Sequence, residues 1–549
     1  MNRGPLIVQS DMTLLLEVEH PQFYEARDKL AVFADLVKSP EYIHHYRITP
    51  LSLWNAAAMG VHPDEITEVL EKFSRYPVPP SVLTNIKEIS SRYGRLVLTK
   101  EGEDLILEAE DPILLQEVLQ HSTVRNTIKE VISKTRALVD PSFRGLVKQA
   151  LIQAGWPVKD LAGYVEGEYY PISLNPKVAL RPYQRDAVDA FWAGGSVQGG
   201  SGVVLLPCGA GKTIVGLGVM EKAQSCTLII TTGATSLKQW IREIIDKTTV
   251  PPEDIGEYSG EKKEIKPIVV TTYQILSHRK SRTGNFSHLE IFKLKDWGLI
   301  IYDEVHLLPA PVFRTTADLQ AKRRLGLTAT LVREDGREED VFSLIGPKRY
   351  DAPWKDLEHA GWIAPVHCCE IRVPLPPAER RRYINATQRQ ALRIAAENPA
   401  KGLIIPKLLE RHGGLPTLII GRYISQLEKI AAQFKAPLIT GKTPQEEREV
   451  YFHKFRRGDL KLLVVSEVAN FALDLPDATL AIQVSGRFGS RQEEAQRLGR
   501  VLRPKKDGQP AYFYSLVTKD TKEQEFAMRR QLFLTEQGYR YSIETIEKL

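Results

Sequence analysis

The chain has 549 residues, of which 43% are hydrophobic and 26% charged, so it is too long for one core and too apolar to be disordered. Its net charge of +6 is mild for the size and leaves nucleic acid neither required nor excluded. Its four cysteines, Cys208, Cys226, Cys368 and Cys369, form no CxxC pair, which argues against a zinc ribbon and offers no spacing for an iron–sulfur cluster. No apolar run approaches the roughly eighteen residues of a membrane span, and polar residues interrupt the N-terminus before a signal core forms. A cytoplasmic protein without a membrane partner is expected.

Along the chain, residues 1–175 differ from the rest. Pro63-Asp64 opens a helix whose apolar face carries Ile66, Val69, Leu70 and Phe73. A second helix runs from Pro80 through Ile86 and Ile89, and Tyr93-Gly94-Arg95-Leu96-Val97-Leu98 reads as a turn into a strand. Helix, helix, strand suits either a winged-helix module or a small protein-docking domain. We expect one domain over 1–100, mainly helical or mixed α+β, and a small mixed α/β domain over 101–175.

From residue 176 the pattern becomes short apolar runs alternating with helices: Val203–Leu206, Thr227–Ile230, Ile268–Val270 and Leu299–Tyr302. It resumes with Thr417–Ile420, Leu462–Val465, Leu480–Gln483 and Tyr512–Tyr514. Such alternation predicts two tandem parallel-sheet units, over 176–350 and 351–549. Between their strands, residues 370–412 form a basic helical stretch with Arg380, Arg381, Arg382, Arg389 and Arg393. His367 beside Cys368 and Cys369 invites a metal reading, but Pro365 to Val373 alternates like a strand with buried thiols.

Leu205-Leu206-Pro207-Cys208-Gly209-Ala210-Gly211-Lys212-Thr213 joins a strand, a glycine loop and a helix start, the P-loop arrangement. Backbone amides around Gly209, Ala210 and Gly211 can turn toward phosphates, with the helix N-terminus adding partial positive charge. Lys212 would meet the β/γ-phosphates and Thr213 would ligate Mg²⁺. Leu206 departs from the generic pattern, which has glycine there. About ninety residues on, the apolar run Leu299–Tyr302 delivers Asp303 and Glu304 at a strand end. Asp303 would hold Mg²⁺, and Glu304 would orient and polarise the attacking water. Gln496, Arg500 and Arg503 are spaced by four and three on one helix face. From the second unit, such guanidinium groups can stabilise charge on the γ-phosphate.

With these motifs in place, the chain resembles superfamily 2 helicases and is similar to the XPB (xeroderma pigmentosum group B) family in its bacterial form over 175–549. Leu180-Arg181-Pro182-Tyr183-Gln184 resembles the adenine-reading Q-type motif, with Arg181 and Gln184 on the nucleotide. Thr328-Ala329-Thr330 resembles motif III, which couples the ATP site to the bound strand. Asp474 lies in a motif V-like run whose usual Gly-x-Asp reads Ala472-Leu473-Asp474 here. Arg333-Glu334-Asp335 resembles a charged element associated with strand separation, and 370–412 lies where the family carries a thumb-like helical insert. The resemblance implies two RecA-like domains, ATP and Mg²⁺ as cofactors, DNA (single-stranded, duplex or fork) as track, 3′→5′ polarity and a repair role. It also implies a partner nuclease, as in archaeal relatives, although no residue identifies one.

A track needs phosphate partners that ignore sequence. Thr235 and Gln239, and Thr271 and Thr272, are the candidates in the first unit, with the Arg380–Arg393 cluster in the second. Hydroxyl and amide contacts leave an RNA helicase open. An ATP-gated scaffold that recruits a nuclease and hardly unwinds is also open.

Overall fold

The computed structural model describes the chain except residues 1–3, 41, 208, 279–286, 310–311, 313–315, 321, 330–336, 353–356, 358–359, 363–364, 467–477, 487–509, 537–538 and 548–549. It divides into two compact units, the first made mainly of residues 45–352 and the second mainly of 353–549.

Two small sheets come first. Strands β1 (Leu6–Val8), β2 (Thr13–Glu17), β3 (Asp35–Lys38) and β4 (Ile43–Arg47) pair in the order β1-β2-β4-β3. Three helices follow, Pro50–Ala58, Pro63–Phe73 and Pro80–Ser91, each with proline in its first turn, where the missing N–H costs nothing. Strands β5 (Leu96–Glu101), β6 (Asp104–Ala109), β7 (Ile128–Val131), β8 (Arg136–Val139) and β9 (Val158–Asp160) then form a sheet ordered β7-β8-β6-β5-β9.

The first large sheet holds β10 (Ser201–Leu205), β11 (Thr227–Thr231), β12 (Ile255–Tyr258), β13 (Ile268–Thr272), β14 (Leu299–Asp303), β15 (Arg323–Thr328) and β16 (Lys348–Asp351). Their order is β12-β13-β11-β14-β15-β10-β16, and every pair is parallel. Strands β11 and β13 are buried throughout, as a sheet covered on both faces requires. This RecA-like sheet carries its loops of interest at the C-terminal strand ends.

The small modules are fused to this sheet through a buried seam. Helix Arg144–Gln153 packs on helix Glu338–Leu344, and a Cβ at Gly145 would sit 2.4 Å from the Ala317 carbonyl oxygen. Trp54, Ile152 and Phe342 share a core cluster, and Asn55 accepts the Lys348 backbone N–H at 2.9 Å. At the centre, Asp160 accepts Arg144 at 2.8 Å and Lys148 at 3.0 Å, while Lys148 also reaches Gln320 at 2.8 Å. Burial acts to raise the Asp160 carboxyl, but Lys148 and Arg144 outweigh it and hold it well below the usual carboxylate range. Burial pulls the Lys148 ammonium down to about 8 against the attraction of Asp160.

The second large sheet is also RecA-like: β17 (Val366–Val373), β18 (Thr417–Gly421), β19 (Leu438–Ile439), β20 (Leu462–Ser466), β21 (Leu480–Gln483), β22 (Ala511–Thr518) and β23 (Arg540–Thr545), ordered β19-β20-β18-β21-β22-β17-β23. Residues 370–373 complete β17, so the basic insert becomes helical only at Pro377, as helices Pro377–Ile384 and Gln388–Ala396. These helices are pinned at their base. Lys401, fully buried, donates to both carboxylate oxygens of Glu523 and to the Val484 carbonyl, 2.9 Å away. Asn398 and Thr518 extend the network to the carbonyls of Pro374 and Ala395.

Replacing Asp160 by alanine strands two buried cations, and chemical unfolding should show a loss of about 3–5 kcal/mol. Because the folded carboxyl lies below its unfolded value of about 3.9, its contribution is present at neutral pH and fades as pH falls through and below that value. The wild-type advantage over Asp160→Ala should therefore shrink on acidification.

Candidate active site

Strand β10 delivers the glycine loop, and helix Lys212–Ala223 leaves it. Gly209 and Gly211 hold φ of +83° and +84°, the left-handed region open to glycine without a Cβ penalty. Gly211 is doubly constrained, since a Cβ there would lie 2.5 Å from the Gln184 amide nitrogen. Gln184 is buried on helix Pro182–Trp192, and its Oε1 accepts the Arg181 backbone N–H at 3.0 Å. Arg181, Gln184 and the loop are thus brought together, with the glutamine amide fixed by the helix cap.

Asp303 ends β14, and Glu304 follows with φ of +52°, a strained conformation for a non-glycine residue. That turn aims the two carboxylates at different partners. Ser236 and Trp240 donate to Asp303 Oδ2 at 3.1 and 3.0 Å, and the Tyr273 hydroxyl donates to its backbone carbonyl at 3.0 Å. Lys212 Nζ meets Glu304 Oε1 at 2.5 Å, and Thr328 Oγ1 lies 3.5 Å from Oε2. The Ala329 backbone N–H also bonds to Glu304. His306, buried, pairs through Nδ1 with the Thr328 hydroxyl at 2.5 Å and lies 3.5 Å from Glu304 Oε2.

These environments separate the two acids. Burial, reinforced by the Glu304 charge, raises the Asp303 carboxyl. Burial also works against ionised Glu304, but the Lys212 charge, aided by His306, outweighs it and lowers that carboxyl. Glu304 is therefore the more acidic of the pair, the one whose position suits a water-polarising role.

Four of the side chains that build this site carried no sequence assignment: Ser236, Trp240, Tyr273 and His306. Ser236 and Trp240 sit four apart on helix Ala234–Lys247, one face of one helix, which is the pattern that signals them. Gln239 is half-buried on the same helix, whereas the Thr235 side chain lies outside the description. Thr271 and Thr272 are buried in the first large sheet. Thr271 is fully buried and donates to the Tyr258 carbonyl at 2.9 Å, and Thr272 caps helix Tyr273–Leu276. Both belong to the covered strand β13 rather than to the loop after it. Thr330, Arg333, Glu334, Asp335, Asp474, Gln496, Arg500 and Arg503 lie outside the described residues.

On the basic insert the arginines divide. Arg380 donates to the carbonyls of Asp520 and Lys519, Arg382 pairs with Glu379, and Arg393 pairs with Glu397. Arg381 and Arg389 are exposed and form no ion pair among the described residues. Cys368 and Cys369 are buried strand thiols, and no group of three metal-binding side chains occurs among the described residues. Burial pushes Cys369 up to about 11.

Family models match three segments: residues 6–133 as helicase conserved C-terminal domain, 177–333 as type III restriction enzyme res subunit, and 357–548 as ERCC3/RAD25/XPB C-terminal helicase. A Kineococcus radiotolerans protein named DNA 3′-5′ helicase XPB is 55% identical over 99% of this chain and 97% of its own. The chain belongs to the XPB helicase family. A Mycobacterium tuberculosis XPB of the same name is 53% identical over 100% of this chain and 99% of its own. The Saccharomyces cerevisiae XPB/SSL2 subunit of general transcription and DNA repair factor IIH is 31% identical, covering 98% and 72%. The Pyrococcus furiosus Hef helicase domain matches with a TM-score of 0.42 at 15% identity, over 60% of this chain and 94% of that one. As an XPB-family helicase the chain is an ATP-using hydrolase, and no helix among the described residues is long and apolar enough to cross a membrane.

Substituting Glu304 by glutamine keeps the shape but removes the charge facing Lys212. Nucleotide binding should survive, while single-turnover ATP hydrolysis should fall by at least about 10²-fold.

Proposed function

We propose that this chain is a DNA-stimulated ATPase that moves 3′→5′ along one strand and separates duplexes during DNA repair. The observation that carries the reading is the direct bonding of Glu304 to Thr328 and Ala329 as well as to Lys212. The residue that orients the attacking water therefore shares hydrogen bonds with the segment resembling the strand-coupling motif.

In this reading the triphosphate draws Lys212 toward its β/γ-oxygens, and Glu304 turns to hold the water in line. Thr213 and Asp303 supply a hydroxyl and a carboxylate, an all-oxygen set suited to Mg²⁺ shared with ATP. Mg²⁺ would neutralise charge on the phosphates. Gln496, Arg500 and Arg503 would act on the γ-phosphate from the second RecA-like domain. Gln239 in the first unit and Arg381 and Arg389 in the second are the phosphate contacts we assign, since Arg380, Arg382 and Arg393 are already committed to partners within the fold.

Steady-state ATPase with single-stranded DNA, duplex DNA, RNA and no nucleic acid tests this, with Lys212→Ala as blank. DNA alone should stimulate, and only in the wild type. Arg381→Gln and Arg389→Gln should each reduce the salt slope of DNA binding by about one, with Arg393→Gln unchanged. Equal rates under all conditions would remove the track and leave an ATP-gated scaffold.

A further inference from the structure

At the opposite end of β10 from the glycine loop lies a cavity of about 250 Å³. It sits where β10 begins at Ser201 and where Gly346 and Pro347 lead into β16, roughly 15 Å from the loop by strand rise. Ile152, Val158 and Phe342 supply apolar surface to its lining, and the Tyr93 ring meets Phe342 edge-on at 6.4 Å.

Its walls carry an excess of cations. Lys148, Lys159 and Arg349 line it against a single carboxylate, Asp160. That carboxylate is already divided between Lys148 and Arg144, a further cation beside it. Lys159 makes no ion pair among the described residues. Arg349 spends only its Nε, on the Ser201 carbonyl at 2.8 Å, and its two terminal nitrogens face no carboxylate among the described residues. Cations gathered over low-dielectric walls focus positive potential into the space they enclose. A guanidinium fork, an ammonium point charge and a phenol match the oxygens of a phosphate group.

We infer that this cavity is a second anion site, distinct from the ATP site, for a terminal phosphate group carried on an apolar or planar body over Ile152 and Phe342. Its occupant would bridge the N-terminal modules and the first large sheet, because Lys148 and Lys159 come from the modules and Arg349 from β16. The inference does not depend on DNA movement. The phosphate could be carried by a free metabolite or by the 5′ end of a nucleic acid, and the arms of the test separate these sources.

The experiment uses the full-length Lys212→Ala protein, so that the glycine loop contributes little, at constant ionic strength. Pyrophosphate is titrated by calorimetry, beside a short oligonucleotide with and without a 5′-phosphate. We expect saturable one-site binding of pyrophosphate, weakened about tenfold or more by Lys159→Gln and again by Arg349→Gln. Binding of the 5′-phosphorylated strand alone, with the same sensitivity, supports the site and assigns its phosphate to a nucleic-acid end. Absence of binding by both pyrophosphate and the 5′-phosphorylated strand, or binding that Lys159→Gln leaves unchanged, overturns the inference. Lys159 is half-buried and unpaired, so its substitution decides the matter even if Arg349→Gln fails to fold.

Discussion

Two neighbouring carboxylates, buried at the end of one strand, cannot both stay charged unless cations and donors are aimed at each separately. Most of the first unit's local architecture serves that constraint. Strand β14 ends in a left-handed turn at Glu304, which sends the two side chains apart. Helix Ala234–Lys247 answers Asp303 with an indole and a hydroxyl, while Lys212 and the end of β15 answer Glu304. Four consecutive strands of one sheet, β11, β14, β15 and β10, thus frame one charge pattern.

The same economy appears in the second unit. A fully buried lysine is rare, and here Lys401 is satisfied on every side. A buried ion pair seldom adds net stability over apolar packing, and its use lies in fixing geometry. What it fixes is the base of the basic insert against the ends of β21 and β22, which leaves the outer arginines as the part that faces solvent.

Much of this was legible in the sequence. Apolar runs such as Thr227–Ile230 and Leu480–Gln483 could be assigned to strands because a sheet covered on both faces demands continuous burial. Lys212, Asp303 and Glu304 could be assigned because their chemistry depends on strand ends and a helix start. The burial of Thr271 and Thr272 was not legible, because a hydroxyl in a buried strand and one in a surface loop look alike in sequence. His306 and Trp240 went unassigned because their roles arise from neighbours remote in the chain. The seam around Asp160 was illegible for the same reason: Asn55 and Lys348 meet across 293 positions.

That remoteness sets a schedule for synthesis. Lys148 is made 172 residues before Gln320, its buried acceptor. At translation rates of about 5–20 residues per second, roughly 10–30 s separate the two. During that interval Trp54, Ile152 and the face of helix Arg144–Gln153 have no sheet to pack against. The nascent N-terminal modules therefore present an apolar and cationic face until the first large sheet is made.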